Sequence, residues 1–152
     1  MRFAYTILLT MLLSMALFGQ AASDLPAGPT SDKIEDVYLA RDNGSGKAGD
    51  VAETFTTADV PIYCVVMLAI MEPTLVKMNF VAVKVPGVKA ESKVVSAVYN
   101  TKQGQDRVYF SGRPDGTWVA GTYRIDIFVA DKKERSLTFE ISGNAAPAAA
   151  AS

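Results

Sequence analysis

The chain predicts an all-β fold, a two-sheet antiparallel sandwich of seven or eight strands, and three observations carry that prediction. From Trp118 to Val129 the sequence alternates, with Tyr123, Ile125, Ile127 and Val129 on one face and Arg124 and Asp126 on the other, the pattern of a half-buried strand. Beyond the charged turn Asp131-Lys132-Lys133-Glu134, the residues Leu137, Phe139 and Ile141 fold back as an antiparallel partner. Short apolar runs separated by Gly, Pro, Asn and Asp then recur along the chain, with no helical period after the first 23 residues. A small closed β-barrel is the alternative arrangement of the same strands.

Residues 1–23 read as a signal peptide. Arg2 supplies the positive start, Ile7 to Phe18 is almost wholly apolar, and Gly19 to Ser23 offers small residues for cleavage. The apolar run is shorter than the ~20 residues a bilayer-spanning helix needs, so no stable membrane span is expected after cleavage. Cleavage leaves 129 residues, enough for one domain, and moves the net charge from −1 to −2. The expected location is therefore periplasmic or extracellular.

Residues 24–33, with two prolines and a glycine, read as a flexible leader. The sandwich is expected over 34–142 and a disordered alanine-rich tail over 143–152. Val37 and Leu39 mark a first edge strand. Asp42 to Asp50 is a loop by composition. It lacks the spacing of a phosphate-binding loop and the closing glutamate of a calcium loop, and Asn43-Gly44-Ser45 is a formal glycosylation sequon. Val51 to Thr56 reads as a short strand with Phe55 inward, and Pro61 belongs at a strand start because it cannot donate to a ladder. Ile62 to Ala69 is apolar on both parities, which marks a central strand without revealing its inner face. Val76, Met78, Phe80 and Ala82 share a buried face. Pro86-Gly87 is a turn, Lys93 to Tyr99 is a strand, and Val108 and Phe110 are the inward pair of a further short one.

Trp118-Val119-Ala120-Gly121-Thr122-Tyr123-Arg124-Ile125 resembles the corner leading into strand F of immunoglobulin-like and fibronectin-III-like sandwiches, where a tyrosine hydroxyl returns to the backbone. The resemblance implies structural roles for Trp118, Gly121 and Tyr123. It also places Phe80 where such domains keep a packed Trp, Ile125 where they keep their second cysteine, and Cys64 on strand B without a partner. It covers roughly residues 35 to 141 and points to the cysteine-poor modules of bacterial envelope proteins.

No histidine is present, which excludes Ser-His and Cys-His catalysis and the commonest zinc ligand. No acid has a visible nucleophile or activating partner, so the chain is expected to be non-catalytic and to need no cofactor. Cys64 is the only cysteine and lies among apolar neighbours, the setting of a small buried hydrophobe. With Met67, Met71 and Met78 it forms the alternative reading, a soft-sulfur Cu(I) carrier site.

Residues 24–60 hold eight acids against three bases, whereas 75–107 hold Lys77, Lys84, Lys89, Lys93, Lys102 and Arg107 against Glu91 and Asp106. The first four lysines outline a basic side, read either as edge protection or as a surface for an anionic or acidic partner. Aromatic residues do not interleave with them as nucleic-acid stacking would require. On the outward face of the third and sixth core strands, Val81, Val83 and Phe128 are expected to form an exposed apolar patch for a protein or envelope-component partner.

Overall fold

The computed structural model describes residues 31–143. The expected signal peptide, most of the leader and the tail beyond Gly143 lie outside the described residues. Nine strands follow one another: β1 (Ile34–Asp42), β2 (Ala48–Val51), β3 (Thr54–Thr56), β4 (Ile62–Leu68), β5 (Leu75–Lys84), β6 (Ser92–Asn100), β7 (Arg107–Gly112), β8 (Gly121–Val129) and β9 (Lys132–Ser142). They form two separate sheets, β2-β1-β4-β7 and β3-β9-β8-β5-β6, rather than a closed barrel. All pairings are antiparallel except β3 with β9. β1, β4 and β7 thus take the A, B and E positions of an immunoglobulin-like sandwich, β5, β8 and β9 take C, F and G, and β6 extends the sheet beyond C.

The strand count exceeds the sequence expectation because the segment read as one strand after the loop is two. Ala48–Val51 returns along β1, and Thr54–Thr56 crosses to pair with β9. The connection read as a loop is a tight hairpin held by two Asx side chains. The Asp42 carboxylate accepts from the N–H groups of Gly44 (3.1 Å) and Gly46 (3.0 Å), and the Asn43 side-chain oxygen accepts from those of Ser45 (2.8 Å) and Lys47 (3.3 Å). Trp118 lies outside β8, which begins only at Gly121. The charged segment 132–134 is strand, and the connection to β9 shrinks to Ala130 and Asp131, both at positive φ (49° and 64°). That is a two-residue turn of the kind whose twist matches paired strands.

The core lies between the sheets. β5 contributes Val76, Met78, Phe80 and Ala82, β8 contributes Tyr123, Ile125, Ile127 and Val129, and β9 contributes Phe139 and Ile141. The facing sheet supplies Leu39, Ile62, Cys64, Val66, Val108 and Phe110. β4 is buried on its other parity too. Val65 pairs with Tyr38 on one side and Tyr109 on the other, and these side chains shield it from water. This is why its sequence lacks alternation.

An aromatic cluster, Trp118 of the β7–β8 connection with rings of β3, β5, β8 and β9, lines the inner face of the five-stranded sheet. Phe80 packs against Trp118 (centroids 5.5 Å) and edge-on to Phe139 (5.8 Å), which in turn meets Phe55 (5.8 Å) and stacks with Tyr123 (5.7 Å). The ring of Phe80 occupies space that only a glycine across the core leaves open, since a Cβ on Gly112 would stand 2.1 Å from its Cε2.

The β8–β9 turn holds two non-glycine residues in the left-handed region, which costs each of them roughly 1 kcal/mol relative to residues suited to it. Replacing Ala130 and Asp131 together by Asn and Gly is expected to stabilise the fold by about 1 kcal/mol. Urea unfolding should then show a higher midpoint with an unchanged slope.

Candidate functional site

The corner expected at Trp118-Tyr123 is present. The Tyr123 hydroxyl donates to the Val119 carbonyl at 2.8 Å, and Trp118 packs edge-on against the Tyr123 ring at 5.5 Å. Gly121 allows a close crossing of β5, because a Cβ there would lie 2.5 Å from the Lys84 carbonyl oxygen. All three residues act in the architecture. Burial pushes the Tyr123 phenol above its ordinary pKa, and the bond to Val119 opposes that only in part.

The outward face of the five-stranded sheet differs from the apolar patch that Val81, Val83 and Phe128 were expected to make. Val81 is 3% exposed, shielded between its cross-strand partners Lys93 and Arg124. Val83 is the extra residue of a bulge between Ala82 and Lys84, which takes it out of the outward row. It lines instead a shallow trough of about 750 Å³ with Val85, Pro86, Val88 and Ala120. Phe128 is half-buried beneath Lys77, whose ammonium sits 4.7 Å from the ring centroid. No contiguous apolar surface joins the three.

A polar row crosses that face in their place. Ser96, Asn79, Asp126 and Ser136 are successive cross-strand partners on β6, β5, β8 and β9. The Ser96 hydroxyl donates to Asn79 at 2.7 Å and that of Ser136 to Asp126 at 2.6 Å. Arg124 donates to both Asp126 oxygens (2.8 and 3.0 Å) and to both oxygens of Glu91 (3.1 and 2.7 Å). Asp126 is thus 5% exposed on a face that alternation alone would leave wet. Burial works to raise its pKa. The hydrogen bonds from Arg124 and Ser136, with the charges of Arg124 and Lys133, outweigh burial and leave it below the ordinary value.

Of the basic side, Lys77, Lys84 and Lys93 share this face, and Lys89 lies in the β5–β6 connection. The carboxylates of Asp126 and Glu91 lie among them, and Lys77 also approaches Asp131 at 3.8 Å. The sulfur residues of the Cu(I) reading are dispersed over three settings. Cys64 and Met78 face the core, Met67 lies on the opposite parity of β4, and Met71 is exposed in the β4–β5 connection. Burial raises the Cys64 thiol far above its ordinary pKa, away from the thiolate a metal needs.

A cleft more enclosed than that trough, and not expected from the sequence, lies on the other sheet. Tyr38, Tyr63 and Tyr109 all stand on the outer face of β1, β4 and β7. The β1–β2 hairpin leans over them, so that Gly46, Lys47 and Ala48 enclose with Tyr63 and Tyr109 a cleft of about 390 Å³. Tyr109 is 57% exposed, and its hydroxyl accepts from the Arg107 guanidinium at 3.4 Å. Burial, then the nearby Asp42 charge, raises the Tyr63 phenol pKa, with Arg113 opposing. The cleft thus joins aromatic surface to Lys47 in its wall, with Arg107 bonded to Tyr109 and the opposite charges of Asp42 and Arg113 near Tyr63, a composition typical of small-ligand and peptide sites. The available sign was the odd-numbered tyrosine at 63 and 109 in strands whose even-numbered residues form the core.

No protein-family model matches the chain, and no curated protein does. Among solved structures, an immunoglobulin-like protein from Pseudomonas aeruginosa is similar at 10% identity and a TM-score of 0.45, covering 72% of this chain and 94% of that one. The Pseudomonas fluorescens alkylpurine DNA glycosylase bound to DNA containing an abasic site analogue is similar at 13% identity and a TM-score of 0.41. That match covers 72% of this chain and 30% of the glycosylase. The fold assignment rests on the strand order.

Two variants test these roles. Tyr123→Phe removes the corner hydrogen bond and is expected to cost about 1 kcal/mol in urea unfolding. Because the folded pKa of Asp126 is depressed, its contribution is present above the ordinary aspartate value of about 3.9 and is lost as pH falls through the lower folded value. Asp126→Asn should therefore flatten the stability profile in that acid window while lowering stability at neutral pH.

Proposed function

We propose that the chain is an exported, non-catalytic immunoglobulin-like module of the periplasm or cell envelope, which binds a protein or envelope component through the tyrosine cleft. The cleft itself carries the reading. Three tyrosines are placed on a rigid sheet face, outside the core, with Arg107 bonded to Tyr109 and a hairpin carrying Lys47 forming one wall. Tyrosine offers large contact area with little conformational entropy to lose, and it pairs an apolar ring with a hydrogen-bonding tip. Export is supported by the charged, apolar and small-residue regions of residues 1–23. The structural frame, with Tyr123, Trp118 and Gly121 committed to the corner, leaves the outer face of β1-β4-β7 free for recognition.

Export and recognition are tested separately. Cell fractionation with intact-mass measurement should recover the chain from the envelope or periplasm, shortened by roughly 2.5 kDa through loss of its first 23 residues. Recovery of the full-length chain in the cytoplasm contradicts export. A photo-reactive residue at position 109 should form adducts in the envelope of living cells that Tyr63→Ala or Lys47→Glu suppresses, whereas the same probe at Glu140 should form none. Equal labelling from both positions, or adducts indifferent to those changes, contradicts the cleft as the binding site.

A further inference from the structure

The five-stranded sheet ends in an open edge. β6 pairs with β5 on one side, and among the described residues no backbone hydrogen bond leaves the other side of Val95–Asn100. Among the described residues the other open stretches are shorter or charged: β7 has six residues, β2 covers only Ala40–Asp42 of β1, whose open part carries Glu35 and Asp36, and β3 covers only Glu140–Ser142 of β9, whose open part carries Lys132, Lys133, Glu134 and Arg135. β3 is also shielded, since Arg41 donates to the Thr54 carbonyl.

β6 runs for nine residues without proline or glycine, and Lys93 is its one charge. Natural edges are kept from pairing by charges, proline or bulges. Here Lys93 and the bulge opposite Phe80 and Val81 protect only the first part of the strand. From Val95 to Asn100 the ladder is regular, with Val98 56% and Tyr99 39% exposed.

We propose that β6 pairs antiparallel with β6 of a second copy of this chain, about a twofold axis at Val98. That register places Val98 against its own copy, Ala97 opposite Tyr99 and Ser96 opposite Asn100. Each pair shares a sheet face, so alternation is preserved across the junction. It covers the two most exposed apolar side chains of the strand and leaves the bulge outside the paired segment. The two Lys93 side chains then lie at opposite ends, whereas parallel pairing would set them side by side, where like charges destabilise a ladder. A second copy fits because the segment that pairs is uncharged and complementary to itself.

Sedimentation velocity of the purified chain over a concentration series should show a monomer–dimer equilibrium. Val98→Lys should weaken it by roughly tenfold or more, since it places like charges face to face at the axis, with the thermal midpoint unchanged at concentrations where the chain is monomeric. Val98→Cys should form a covalent dimer on mild oxidation, because the native Cys64 thiol is buried, and Ser45→Cys on the distant hairpin should not. A chain monomeric throughout, a dimer indifferent to Val98→Lys, or cross-linking no faster at 98 than at 45 would each overturn the pairing.

Discussion

The seating of the Phe80 ring over Gly112 is the constraint on which the rest of the sandwich depends. Phe80 comes from β5, an interior strand of the five-stranded sheet, and Gly112 from the end of β7 in the other, so their contact sets how closely the layers approach at that point. Packing at organic-crystal density leaves no slack for an added methyl. From that ring the contacts spread to Trp118 and Phe139, and through them to Tyr123 and Phe55. The corner hydrogen bond from Tyr123 to Val119 then fixes how the chain enters β8. The core, the corner and the entry of β8 are thus one packed unit built without a disulfide.

The two outer faces are made differently. On the five-stranded sheet, lysine and arginine stems cover valine and phenylalanine while their charges meet Asp126, Glu91 and Asp131. This face satisfies itself, and the buried Asp126 carboxylate, with three hydrogen bonds and an ion pair to Lys133, favours one register of β8 against β9. On the four-stranded sheet the tyrosines shield Val65 with their rings but leave their edges and a cleft toward solvent. The proposed recognition site therefore lies on the sheet that is incompletely covered.

Much of the inner architecture was legible. The alternation at Val76 to Ala82 and Tyr123 to Val129 gave the correct buried faces, and the Trp-x-x-Gly-x-Tyr spacing gave the corner. Three features were not legible, each for a physical reason. Asp126 reads as solvent-facing by parity, and only its cross-strand neighbours Asn79, Ser136 and Arg124 show that it is buried. Bulges at Val83 and opposite Val81 have no local signature in a valine-rich strand, so the expected patch with Phe128 was placed on residues that do not share one surface. The tyrosine cleft joins positions 47, 63 and 109, which are brought together by strand pairing alone. Position 63 was obscured further because β4 is apolar on both parities.

Glycine at position 112 admits the Phe80 ring, and a double-mutant cycle between the two residues measures that coupling. Gly112→Ala in the native background should cost about 1–3 kcal/mol in urea unfolding, the usual cost of overpacking. In a Phe80→Leu background, where the shorter side chain frees that space, the same substitution should cost at least about 1 kcal/mol less. Equal costs in the two backgrounds would show that the sheets are spaced by something other than this contact.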